Sequence, residues 1–211
     1  MDISKLNSLV ELYFKQVEKI DKKKPFLTWL KPERNISYNW DEVTNKIYKL
    51  SFRIKSLINK GDRVLLLSEN RPEWLISDIA IMNSGGITVP IFTTYAEKDY
   101  EYILKDCSPS LIILSNNKQL KKIKGYIGST NVISFEKTEI KSQTFEQIFS
   151  EKFESEINLD LQRTNLACII YTSGTSGNPK GVMLSHGGIL SNCEGAFELL
   201  QPLIKKKDPT F

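Results

Sequence analysis

The chain has 211 residues, of which 29 are basic and 25 acidic, so its formal net charge is +4 at pH 7. Its 40% hydrophobic and 26% charged composition fits a soluble globular protein of one large domain or two small ones. Only five of the basic residues are Arg and 24 are scattered Lys, which argues against a specific nucleic-acid reader. The start, Met1-Asp2-Ile3-Ser4-Lys5, lacks the basic and apolar regions of a secretory signal, and no apolar run approaches about 18 residues.

In chain order, Leu6 to Ile20 carries apolar residues at Leu6, Leu9, Val10, Tyr13, Phe14, Val17 and Ile20, the spacing of a helix with one apolar face. Phe26–Leu30 and Ile36–Tyr38 read as two short strands around a polar turn. Asn39 with Glu42 forms a capping box, and the next helical face is Val43, Ile47, Leu50, Ile54, Leu57 and Ile58, with Gly61 as its stop. From there strands and helices alternate. Arg63–Leu67, Ile87–Phe92, Ser110–Leu114 and Asn131–Phe135 are expected strands. Helices are expected from Pro72 to Asn83, from Ala96 to Asp106, from Asn116 to Lys124 and from Phe145 to Phe153. Near-continuous apolar strands alternating with helices predict an α/β fold with a largely parallel sheet flanked by helices. The division read here is an opening region of about residues 1–60, an alternating sheet at 61–135, and a strand, loop and helix at 166–200. Residues 136–165 are the most polar stretch and form the expected connection.

The densest chemical signal is Tyr171-Thr172-Ser173-Gly174-Thr175-Ser176-Gly177-Asn178-Pro179-Lys180-Gly181, which follows the apolar run Leu166–Ile170. Gly174 and Gly177 allow successive backbone N–H groups to point into one concavity and leave no side chain to block a phosphate oxygen. Thr172, Ser173, Thr175 and Ser176 add hydroxyls, which donate to phosphate or ligate Mg²⁺, and Lys180 adds a mobile positive charge. Pro179 before Lys180 and Gly181 after it rule out a Walker A loop, and no Gly-x-Gly-x-x-Gly occurs. The bland alternative is a glycine-serine surface loop with no ligand. A strand before the loop, a short strand at Val182–Leu184 and a helix capped by Ser185 after it put the loop at the carboxyl end of a sheet strand.

The string Tyr171–Gly181, continuing into Val182-Met183-Leu184-Ser185-His186, resembles the signature of the acyl-adenylate-forming enzyme superfamily. Its one departure is Ser176 in place of the usual threonine, which keeps the hydroxyl. Ile36–Trp40, Gly61–Val64, Glu69–Trp74 and Gly85–Pro90 resemble successive landmarks of the long-chain fatty acyl-CoA synthetase branch. The resemblance runs from about Leu6 to Asn192. It implies ATP-dependent activation of a fatty acid to acyl-AMP, then thioester formation with coenzyme A, with ATP, Mg²⁺ and coenzyme A as the small-molecule partners. On it, Gly174, Thr175, Ser176 and Gly177 hold phosphate through their backbone, and Thr172 and Ser173 are Mg²⁺ or phosphate hydroxyls, with Thr172 the metal candidate. Lys180 is the catalytic charge. The family's later adenine, ribose and catalytic-lysine segments do not occur in these residues, so an N-terminal fragment is expected. The open alternatives are a non-catalytic nucleotide-binding scaffold and an adenylating enzyme for another carboxylic acid.

His186, the single histidine, lies at an expected helix start, where the dipole disfavours its cation and a structural role is expected. Arg71 is expected to fix the loop before a helix, with Trp74 packing in the core. Cys107, Cys168 and Cys193 have no pairing pattern and read as structural filler in a reducing compartment. A cytoplasmic protein follows as the expectation. The runs Lys22–Lys24 and Lys205–Lys207 read as solvated surface that also permits peripheral contact with an anionic membrane.

Overall fold

The computed structural model of the protein describes residues 2–152, 160–173 and 178–204, with side chains through 201. A single 3₁₀ turn, Ile3–Lys5, precedes helix α1, Leu9–Lys19, whose N-cap hydroxyl on Ser8 accepts from the Glu11 amide. The helix therefore starts three residues later than its apolar pattern, and Leu6 is buried from the turn instead. Strands β1 (Pro25–Trp29) and β2 (Ile36–Asn39) form a separate antiparallel pair. Helix α2, Trp40–Lys55, opens with both bonds of the expected Asn39–Glu42 capping box. It ends at Lys55, short of Gly61, and at the C-cap both the amide and the hydroxyl of Ser56 donate to the Arg53 carbonyl. Leu57 and Ile58 still pack on the core from beyond the helix end.

The alternating region follows as β3 (Arg63–Leu67), α3 (Pro72–Asn83), β4 (Ile87–Ile91), α4 (Glu97–Cys107), β5 (Leu111–Leu114), α5 (Asn117–Ile123) and β6 (Asn131–Ser134). The polar connection holds a two-residue strand β7 (Gln143–Thr144), which its hydrophilic sequence did not announce, and α6 (Phe145–Ser150). Strands β8 (Leu166–Thr172) and β9 (Lys180–Ser185) and helix α7 (His186–Ile204) complete the described chain. One sheet runs in the order β7-β6-β5-β3-β4-β8-β9. Every neighbouring pair in it is parallel except β8 with β9. This is the α/β, largely parallel architecture read from the pattern.

Helices cover both faces, as a parallel sheet requires. On one face, Val64, Leu66, Leu111 and Ile113 pack with α1, α2, α3 and α6. On the other, Leu65, Leu67, Ile112 and Leu114 pack with α4 and α5. Arg163 ties the chain's beginning to its later part. Its guanidinium donates to the carbonyls of Leu6 at 2.7 Å and Ser4 at 3.2 Å, and to the Ser191 hydroxyl of α7 at 3.2 Å.

Candidate functional site

The carboxyl edge of the parallel strands is where α/β folds place ligands, usually in the crevice where neighbouring connections leave on opposite faces. That crevice lies between β3 and β5, because β3 leads to α3 on one face and β5 leads to α5 on the other. It is filled by the chain itself. The Glu69 carboxylate accepts from the Ser115 hydroxyl at 2.5 Å and from the Gln119 amide at 2.7 Å. Burial pushes the Glu69 carboxyl up, but the hydrogen bonds from Ser115, Gln119 and Asn116 outweigh it and hold the pKa down to about 2. A fixed carboxylate here repels a phosphate.

The neighbouring position on the same edge belongs to β8. β8 runs parallel to β4 from the Thr88–Cys168 pair, so its carboxyl end emerges with those of β3 and β4. Thr172 closes β8, and Lys180 opens β9 directly opposite it in the antiparallel register. Directly opposed residues in an antiparallel ladder point to the same face, with Cβ atoms about 5 Å apart. The hairpin therefore starts the Thr172 and Lys180 side chains from neighbouring positions on one face, and Thr172, Ser173 and Lys180 are all exposed. Gly174, Thr175, Ser176 and Gly177, the expected backbone cradle, lie outside the described residues. Of the residues singled out by sequence, Thr172 and Lys180 are thus brought together, and Ser173 follows directly after the strand.

The stem is built by packing that sequence reading did not find. The Tyr171 ring is 2% exposed, and its hydroxyl donates to the Asp106 carboxylate of α4 at 2.5 Å. Gly181 makes this possible. A Cβ there would stand 2.9 Å from Ile169 Cγ2 and 3.3 Å from Tyr171 Cζ, so only glycine lets the ring lie flat across the hairpin. The Tyr95 hydroxyl donates to the Tyr171 carbonyl at 2.8 Å. Residues 95 and 171 are far apart in sequence, and no spacing rule links them.

Other titratable groups serve the scaffold. His186 is 1% exposed, its Nδ1 accepts from the Leu9 amide at 3.3 Å, and burial holds its pKa down to about 4. It is neutral and structural, as its position at a helix start implies. Burial pushes the Asp78 carboxyl up to about 6, with the Thr88 hydroxyl the weaker opposing influence. Burial likewise raises the thiols of Cys107 to about 12 and Cys168 to about 11, which makes both poor nucleophiles. Arg71 pairs with Glu73 at 3.1 Å and Glu136 at 2.6 Å and lies over the Trp29 ring, so it locks the loop ahead of α3. A cleft of about 990 Å³ lies beside the loop leading into β6, at the amino ends of the strands and away from this chemistry. Among the described residues no helix is long and apolar enough to cross a membrane.

Comparison with known proteins gives the family of the chain. The AMP-binding enzyme family matches residues 14–209. The chain is similar to fatty acyl-CoA synthetase A of Dictyostelium discoideum, at 32% identity over 66% of this chain and 23% of the relative. It is also similar to a long-chain-fatty-acid–CoA ligase of Xenopus laevis, at 33% identity over 71% of this chain and 23% of the relative. It therefore spans about a quarter of the length of these curated relatives. Among solved structures, the anthranilate CoA ligase AuaEII in complex with anthranoyl-AMP superposes with a TM-score of 0.76, at 24% identity over 96% of this chain and 38% of that one. A fatty acyl-adenylate ligase from L. pneumophila, in complex with acyl adenylate and pyrophosphate, superposes with a TM-score of 0.72, at 23% identity over 93% of this chain and 33% of that one. With a match over nearly its whole length, the chain belongs to the AMP-binding enzyme family.

Proposed function

We propose that the protein carrying this chain activates a fatty acid with ATP and transfers the acyl group to coenzyme A. A carboxylate is a poor acyl donor because its leaving group would be oxide. Attack of a carboxylate oxygen on the α-phosphorus forms acyl-AMP and breaks the bond to pyrophosphate. The coenzyme A thiol, losing its proton, then attacks the acyl carbon, and AMP leaves with the electron pair of the broken bond. The first step builds negative charge on the departing pyrophosphate, which fixed donors and cations stabilise. The observation that carries this reading is the opposition of Thr172 and Lys180 at the loop end of the β8–β9 hairpin. Lys180 supplies the charge, Thr172 and Ser173 supply hydroxyl donors, and Gly174 to Gly177 supply backbone N–H groups.

Mg²⁺ travels with nucleotide phosphates and keeps most of its coordination to phosphate and water, so one exposed hydroxyl such as Thr172 is a fitting protein ligand. When bound it neutralises phosphate charge.

Lys180→Ala is expected to slow fatty acid-dependent ATP–pyrophosphate exchange by about 10²-fold, the cost of losing one transition-state stabiliser. An unchanged exchange rate would remove Lys180 from the chemistry. A second reading is favoured by length alone: these 211 residues match about a quarter of their relatives, so by themselves they act as a nucleotide-binding scaffold without catalysis. Exchange activity in the isolated 211 residues would overturn it. A third is a different acid, since one structural neighbour is named for anthranilate. Exchange driven by aryl acids but not by long-chain fatty acids would select it.

A further inference from the structure

We propose that Tyr95 is a positioning residue that holds the β8 stem in place, so that Thr172 and Lys180 meet the nucleotide phosphates in a fixed geometry. The inference rests on the phosphate-site reading above.

The argument starts from the sheet. β3 and β4 share five register pairs, from Arg63–Ile87 to Leu67–Ile91, whereas β4 and β8 share only Thr88–Cys168. Beyond Cys168 no further register pair joins β8 to β4. Continuing the parallel register from that pair brings Ile91, the last residue of β4, level with Tyr171. At that level the Tyr95 hydroxyl, reaching from the loop between β4 and α4, donates to the Tyr171 carbonyl at 2.8 Å. A side chain thus replaces the missing ladder bond one residue before Thr172.

The Tyr95 ring is itself held. It meets the Phe92 ring edge-on at 5.5 Å and the Tyr100 ring edge-on at 6.1 Å. The Tyr100 hydroxyl donates to the Phe92 carbonyl at 2.9 Å, which closes the loop on itself. From the other side, the Tyr171 hydroxyl is bound by Asp106 of the same α4. Carbonyl and side chain of Tyr171 are therefore both tied to the β4–α4 segment. Thr172 and Lys180 project to the opposite face of the sheet from the Tyr171 ring. They inherit their position from Tyr171. Tyr95 acts through a carbonyl and never reaches the phosphate-facing side chains.

The test compares wild type, Tyr95→Phe, Tyr100→Phe and Lys180→Ala in the protein carrying this chain. Calorimetry reads MgATP affinity, amide exchange reads residues 172, 173, 178, 180 and 181, and a thermal melt reads the fold. Tyr95→Phe is expected to weaken MgATP about threefold to tenfold and to speed amide exchange at those residues, with an unchanged melt. Tyr100→Phe, which keeps the Tyr95–Tyr171 bond, is expected to leave both readouts near wild type. Wild-type affinity and exchange in Tyr95→Phe, with Lys180→Ala weakened, would overturn the inference and leave the phosphate site standing. Equal loss in Tyr100→Phe would also overturn it, by assigning the effect to the loop as a whole. No MgATP binding by wild type would overturn the phosphate-site reading, and with it the ligand part of this inference.

Discussion

At the residue scale, burial decides protonation. His186 sits 1% exposed with a pKa near 4, below its ordinary 6.5. The unfolded chain therefore takes up a proton that the folded chain refuses as pH falls through 6.5. The stability that neutral His186 contributes is complete above pH 6.5 and is lost progressively down to about pH 4. His186→Asn keeps an acceptor for the Leu9 amide but cannot titrate. It is expected to lower stability at pH 7 by about 1–3 kcal/mol through the lost ring volume. It should also flatten the loss between pH 6.5 and 4. Urea unfolding of both proteins at pH 7 and pH 5 checks this, and parallel declines would exclude His186 as the source. Its helix-start position made a structural role readable. Its burial, and the bond from Leu9 in a distant helix, were not, because both depend on where α1 docks.

At the element scale, local rules did well wherever a local interaction decides the outcome. The Asn39–Glu42 box, Pro72 at the first turn of α3 and the apolar strands from β3 to β6 fall where the sequence puts them. The misses have local causes too. α2 stops at Lys55 with Ser56 as its C-cap before the apolar face runs out, and β7 spans only two polar residues at the sheet's edge. The hairpin bearing Thr172 and Lys180 depends on Gly181. Gly181→Ala sets a methyl 2.9 Å from Ile169 Cγ2 and 3.3 Å from the Tyr171 ring. It is expected to cost about 1–3 kcal/mol and to weaken MgATP binding, both by displacing Tyr171. Thermal melts and calorimetry check this, and an unchanged melt would mean the ring moves aside freely.

At the scale of the whole molecule, the apolar surface is uneven. The sheet ends at β9, whose outer flank has no partner strand among the described residues. Val182 and Met183 on that strand are 44% and 66% exposed, and Phe197, Leu199 and Leu200 of α7 are 47%, 82% and 40% exposed. An unpaired strand edge beside exposed apolar side chains invites association. The 211 residues in isolation are expected to self-associate as concentration rises, and Met183→Lys to shift them toward monomer. Sedimentation velocity across a concentration series decides this, and a wild-type monomer throughout would dismiss β9 as a sticky edge.

Composition and periodicity alone determined the α/β class and most element positions, and singled out the eleven residues from Tyr171 to Gly181 as the candidate phosphate loop, because helix caps, strand apolarity and glycine-hydroxyl loops are local properties. Only the tertiary structure decided that the β3–β5 crevice is occupied by the chain itself. Glu69 fills the β3–β5 crevice with a carboxylate drawn from one strand end and donors from another, and the β8–β9 hairpin lies on the far side of β4 from it. Only the tertiary structure, likewise, brought Tyr95 and Asp106 to Tyr171, since those bonds join residues 76 and 65 positions apart. Such contacts exist only once β4 and β8 lie side by side in the sheet.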